Sequence, residues 1–255
     1  ILALVLILTT ALYSKTDNIL NNSMANTMFI GLSTMILFGT ALATFLYIVG
    51  SFRKELYEDR GYLTFTLPLT GNQIVGAKLI VALFWILVIL TSIMIYNFIA
   101  MLIYMTGSEI SGFLEKIFTM DVVKRILVGI FMTILNMIQM LTIIYFSMAL
   151  GRVTFKNKKV GGLWFIIFLV LSWLISYGQF KVVQLFPYYF DMSGFGIENR
   201  DSIIYQMNMN HNGFFSFSLT IDSLITNIAG FIYDILVTTG LFLGTGYLVE
   251  KKIDL

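Results

Sequence analysis

The chain has 255 residues, of which 58% are hydrophobic and 12% charged, with a formal net charge of +2. An ordinary soluble domain carries about 25% charged residues, so this composition excludes a water-facing surface of the usual kind, and the small net charge gives no case for nucleic acid as a partner. There is no Cys, which removes disulfides, thiolate metal sites and Cys nucleophiles, and the lone His211 cannot build a histidine metal cluster.

The apolar residues fall in long blocks. A bilayer core of about 30 Å needs about 20 apolar residues in a helix, so the blocks predict an all-α integral membrane protein with six spans in one transmembrane domain. The first block, Ile1–Leu12, is too short to cross, and the chain opens without Met; it reads as a first span whose start is missing. A signal-peptide core would need a basic flank and a small-residue cleavage site, and neither is visible. The further spans are expected at about 27–51, 78–105, 125–150, 160–177 and 223–249. None of them carries a Pro to force a kink.

Lys and Arg favour the cytoplasmic side of a membrane. With the loop after the second span placed inside, Arg53, Lys54, Arg60, Lys78, Arg152, Lys156, Lys158, Lys159, Lys251 and Lys252 lie there, ten of the 16 basic residues. Both termini are then cytoplasmic. Thr106–Lys124 reads as a helix on the outer surface, and Lys181–Asp222 as an outer cap that dips partly into the membrane.

The stretch GNQIVGAK, Gly71 to Lys78, nearly matches a phosphate-binding loop. That motif needs Lys directly after its last Gly and then a hydroxyl for magnesium. Here Ala77 follows Gly76 and Leu79 replaces the hydroxyl, so no nucleotide or magnesium is expected in this chain. Thr70 and Gln73 instead have the spacing of a capping box, which starts the third helix near Thr70. Lys78 is then placed to reach the headgroups along its aliphatic stem.

The sequence EDRGYLTFTLPLTGNQIVGAK resembles the cytoplasmic loop of permease subunits of type-2 ABC exporters, and its GYLTFTLP most of all the Firmicute peptide and antibiotic exporters. Glu58, Asp59, Arg60, Gly61, Tyr62, Leu63, Leu67, Pro68, Thr70, Gly76 and Lys78 fill the pattern. Ala77 departs from it, and the acid after Arg60 is absent. The resemblance implies a bacterial cytoplasmic membrane protein in which this loop forms a coupling helix docked in a groove of a separate ATPase subunit, which holds the ATP and magnesium. It also implies a second permease as partner, and no catalysis by this chain. The docking residues are then Arg53, Glu55, Tyr57, Glu58, Asp59, Arg60, Gly61, Tyr62, Leu63 and Phe65, with charges at the rim and aromatic anchors of the kind favoured at interface hot spots.

The resemblance further places the second and fifth spans along the translocation path. The path residues are then Phe38, Phe45, Tyr47, Trp164, Phe168, Trp173 and Tyr177, which suit a hydrophobic or amphipathic cargo such as a peptide toxin or antimicrobial peptide. Asp234 is the only acid deep within a span, and Asn97, Asn136 and Gln139 are its candidate partners. An intramembrane acid is a functional candidate, so an ion-coupled carrier or channel working through Asp234 is the alternative. Gly240 and Gly244 form a G-x-x-x-G, which reads as close packing of the sixth span within the chain.

Overall fold

A computed structural model describes residues 23–57, 69–104, 112, 115, 119–154, 163–191, 196–199, 217–220 and 223–251. The elements are α1 (Ser23–Tyr57), α2 (Gly71–Tyr104), α3 (Met120–Thr154), α4 (Leu163–Leu185), β1 (Tyr188–Asp191), β2 (Gly196–Asn199), β3 (Phe217–Thr220), β4 (Ser223–Asn227) and α5 (Ile228–Lys251). Four described helices are long and apolar enough to cross a membrane, within Gly71–Tyr96, Val122–Thr154, Leu163–Leu185 and Ile228–Lys251. The expected first span, 1–12, lies outside the described residues. The second, 27–51, is helical within α1.

The chain divides into two compact units, residues 1–51 with 84–114, and residues 52–83 with 115–255. In the first, Leu37 of α1 and Tyr96 of α2 are buried together, with Ile93 packed against them. In the second, α3 is the central helix and packs on both α4 and α5, which also pack on each other. Leu141, Ile143, Ile144, Tyr145, Met148 and Ala149 are buried almost completely. Tyr145 stacks on Phe52, in the last turns of α1, at a centroid distance of 4.1 Å.

Among the described residues, many large apolar side chains are exposed while several polar ones are buried. Phe165, Ile166, Leu169, Val170 and Trp173 of α4 are exposed, whereas Gln139, Thr142, Ser147, Gln179, Asp234 and Thr245 are buried. Water would disfavour that distribution; a hydrocarbon solvent favours it. The hydroxyls follow the same logic. Ser92 donates to the Val88 carbonyl at 2.7 Å, Thr142 to Ile138 at 2.7 Å, Ser147 to Ile143 at 2.7 Å and Thr245 to Leu241 at 2.7 Å. Each is satisfied within its own helix, where lipid offers no partner.

The helices run past the apolar blocks read from the sequence. Helix α2 begins at Gly71, ahead of the span at 78–105, because Thr70 caps it: the Thr70 N–H donates to Gln73 Oε1 at 3.0 Å and the Gln73 N–H to Thr70 Oγ1 at 3.4 Å. Helix α3 starts at Met120, so the last residues of the expected surface segment, Thr106–Lys124, belong to it. Helix α4 continues to Leu185, well beyond the expected end at Tyr177. Pro187 lacks the N–H that a further turn would need.

The expected sixth span, 223–249, is divided: Ser223–Asn227 is a strand and the helix starts at Ile228. Asn227 sets that boundary. Its Oδ1 accepts the Gly230 N–H at 2.7 Å, an N-cap, and its Nδ2 donates to the Phe186 carbonyl at 2.9 Å. Strand β4 lies in an antiparallel sheet of order β2-β1-β4-β3. Tyr188 pairs with Asn199, Phe190 with Thr226, and Thr220 with Ser223. The part of the Lys181–Asp222 cap that is described is therefore the end of α4 followed by sheet.

Tyr189 of β1 is fully buried beside Asn227. Burial pushes its phenol above the ordinary value of 10.0, against a smaller downward effect of the Asn227 hydrogen bond. A raised folded value means the unfolded chain releases its proton first, so this contribution to stability is complete below pH 10.0 and declines as pH rises through the folded value. Melting temperature measured from neutral pH into strong alkali should fall above that point, and Tyr189→Phe should flatten the part of the slope due to this residue.

Candidate functional site

Two constructions in the second unit carry polar chemistry. The first surrounds the segment between α1 and α2. Its upstream flank is held by Phe52 against Tyr145 and by Leu56, both almost fully buried. Its downstream flank is held by α5: the Gly71 N–H donates to Glu250 Oε2 at 3.0 Å. This carboxylate sits at an α2 N-terminus, where the unpaired N–H groups and helix dipole favour negative charge. The approach is close enough to require glycine on both sides. A Cβ on Gly71 would overlap the Gly246 carbonyl oxygen, and one on Gly246 would overlap the Asn72 side chain and backbone nitrogen.

Of the docking residues expected from the sequence, Arg53 is exposed at the end of α1. Glu55 and Tyr57 belong to the same helix, with side chains outside the described residues. Glu58, Asp59, Arg60, Gly61, Tyr62, Leu63 and Phe65 all lie outside the described residues. The close contact expected at Gly240 and Gly244 is displaced along α5. Among the described residues, no atom of another element lies within 4 Å of a Cβ at Gly240, whereas a Cβ at Gly244 would lie tightly against the Phe146 ring edge of α3 at 3.1 Å. Gly246 makes the tight crossing.

The second construction is a buried polar knot at the junction of α3, α4 and α5. Asp234 is 0% exposed, Gln139 0% and Gln179 5%. Gln139 Nε2 donates to Asp234 Oδ1 at 3.3 Å, and Gln179 Nε2 donates to Asp234 Oδ2 at 2.5 Å. The neighbouring helix faces are shaped around the knot. Gly178 leaves room for the Tyr233 ring, whose hydroxyl donates to the Ile175 carbonyl at 3.2 Å. Gly230 likewise lies against Val183.

Gln139 is thus a true partner of Asp234. Asn136 donates to the Met132 carbonyl of its own helix at 2.9 Å, and the Asn97 side chain lies outside the described residues. Gln179 lies just past the span expected to end at Tyr177, so the apolar run alone does not mark it. The available signal was the amide itself, in the run SYGQFKVVQL that continues the helix to Leu185.

Among the expected path residues, Phe38, Tyr47, Trp173 and Tyr177 are exposed, and Phe45, Trp164 and Phe168 are half-buried. Trp173 stacks on Tyr177 with centroids 5.8 Å apart, and Lys181 Nζ lies 5.8 Å from the Tyr177 centroid. Among the described residues, no group of His, Cys, Asp and Glu is arranged to hold a metal ion. No family model matches the chain, and neither does any curated protein or solved structure with which it was compared.

The Gly71–Gly246 crossing makes a paired prediction. Gly246→Val should destabilise the purified protein by about 1–3 kcal/mol, the range for forced overpacking. Gly240→Val should leave the melting temperature nearly unchanged, because its Cβ enters open space. A thermal melt of the two variants side by side measures the difference.

Proposed function

We propose that this chain is the transmembrane subunit of an ATP-driven ABC exporter of the type-2 class. It moves a hydrophobic or amphipathic cargo, of peptide class, out of the cytoplasm or the membrane. It crosses the bacterial plasma membrane six times with both termini in the cytoplasm. ATP is hydrolysed in a separate subunit, and a second permease, identical or related, completes the pathway.

The observation that carries this reading is the anchoring of the loop that resembles a coupling loop. Its flanks are tied to different helices of one unit, Phe52 to Tyr145 of α3 and Gly71 to Glu250 of α5. A displacement that reaches these flanks is passed directly to the bundle, which is what coupling to an ATPase requires. The capping box at Thr70 supports the same reading, since it accounts for GNQIVGAK as a helix start without any nucleotide. The exposed aromatic side chains of α1 and α4 suit an apolar cargo, and Met, of which the chain has 14, adapts to varied apolar ligands.

The test is co-expression with the ATPase encoded beside it. The two proteins should co-purify from membranes, and the complex should hydrolyse ATP faster than the ATPase alone. Glu58→Arg and Gly61→Pro should each abolish co-purification and stimulation, while helical content and melting of the permease stay unchanged. Complexes that keep both properties in both variants would remove the docking role.

A further inference from the structure

Asp234 is 0% exposed, and its two bonds differ in length. Gln139 Nε2 lies 3.3 Å from Oδ1, and the Gln179 amide lies 2.5 Å from Oδ2. With both amides donating, the carboxyl would be an ion with two neutral N–H groups for about four acceptor positions. Nothing among the described residues balances that charge. The groups that meet it from α3 and α4 are the neutral amides themselves. On α5, the adjacent Tyr233 directs its hydroxyl to the Ile175 carbonyl. No cationic side chain among the described residues forms a hydrogen bond or ion pair with Asp234. Four buried side-chain oxygens lack a partner there, Gln139 Oε1, Ser172 Oγ, Thr226 Oγ1 and Thr238 Oγ1. All four are neutral, so none supplies a counter-charge. An ionised carboxyl buried without one is costly, and taking up a proton removes that cost.

The two bond lengths say where the proton sits. An O–H···O bond spans about 2.5–3.0 Å and an N–H···O bond about 2.7–3.2 Å. The 2.5 Å contact at Oδ2 is short for an N–H donor and suits an O–H donor. The 3.3 Å contact at Oδ1 is too long for an O–H donor and lies at the far end of the N–H range. The two ends of a Gln amide have nearly the same shape, and the surrounding hydrogen bonds decide which end faces a partner. Half a turn of the Gln179 amide brings its oxygen to Oδ2. The carboxyl then gives one hydrogen bond and receives one.

We propose that Asp234 is held in the bundle as a neutral carboxylic acid, with Oδ2–H donating to the Gln179 side-chain oxygen and Oδ1 accepting from Gln139 Nε2. The proton is then the latch between α4 and α5. Without it, two oxygens would face each other at the distance of a bond. The junction carries no net charge and needs no counter-ion. The assignment stands apart from the export reading, since it involves neither the ATPase nor cargo.

Infrared spectroscopy of the purified protein in detergent at neutral pH reads the proton directly. Exposed carboxyls are ionised at that pH, so the carbonyl stretch of a protonated carboxyl reports a buried acid. The wild-type protein should show such a band, shifted slightly downward in deuterium oxide. It should move further down when the protein is made with aspartate carrying heavy carbon at its side-chain carboxyl. Asp234→Asn should lose the band. This variant can keep both bonds, because its Nδ2 donates to the Gln179 oxygen and its Oδ1 accepts from Gln139, so it is expected to fold. Gln139→Leu removes the N–H on Oδ1 and should shift the band to higher wavenumber. Absence of a protonated-carboxyl band in the wild-type protein would overturn the proposal. So would a band that persists in Asp234→Asn, or one that the aspartate label leaves in place, a readout that needs no variant to fold.

Discussion

A polar group in hydrocarbon must find its partner within the protein, because the solvent has none to give. The second unit is arranged around that constraint. Its most demanding group is Asp234, and three helices meet where each carboxyl oxygen receives an amide N–H. Gln139 reaches it from α3 and Gln179 from α4. Lipid supplies no hydrophobic force to hold helices together, so directional bonds and close backbone contact must fix their register. Shifting α4 by one residue would turn Gln179 away from Asp234, leaving the Gln179 amide and Asp234 Oδ2 without this bond. The knot therefore sets which faces of α3, α4 and α5 meet, and the small residues Gly178 and Gly230 let them approach there.

The same constraint acts at the helix ends. The first N–H groups of a helix have no partner inside it, and in this chain side chains supply several. At α5 the cap is local, through Asn227, which also holds the end of α4 by the Phe186 carbonyl. At α2 the cap is partly local, through Thr70 and Gln73, and partly remote, through Glu250 from the far end of α5. The remote contact cannot form unless both backbones come unusually close, which is why Gly71 and Gly246 face one another.

What the sequence made legible follows from which signals are local. Long apolar runs and the Thr70–Gln73 spacing are short-range patterns, and the helices and the α2 cap form where they point. The candidate pairing of Asp234 with Gln139 was also legible, since few polar side chains are available within the apolar blocks. Helix ends were less so, because hydropathy marks the lipid-facing stretch and not the helix. Gln179 lies beyond the stretch that hydropathy marks, and Ser223–Asn227 abuts the apolar run of α5 closely enough for a hydropathy window to merge the two. The glycines show a different limit. G-x-x-x-G at Gly240 and Gly244 states that a helix could approach, but only the position of α2 decides that Gly246 is where one does.

Helix α5 connects the two constructions. Glu250 and Asp234 stand on one unbroken helix, about 24 Å apart along its axis at 1.5 Å per residue. Glu250 contacts the first residue of α2, beside the loop proposed to dock an ATPase, and Asp234 contacts α3 and α4 deep in the bundle. Between these two residues α5 is one continuous helix with no Pro to kink it. On the proposed reading, a push at the loop thus arrives at the polar knot as a shift of Asp234 relative to two amides. Hydrogen bonds weaken steeply with misalignment, so the knot resists small shifts and releases at larger ones. The least lipid-like group in the described spans is then also the one best placed to separate resting from displaced arrangements of the helices.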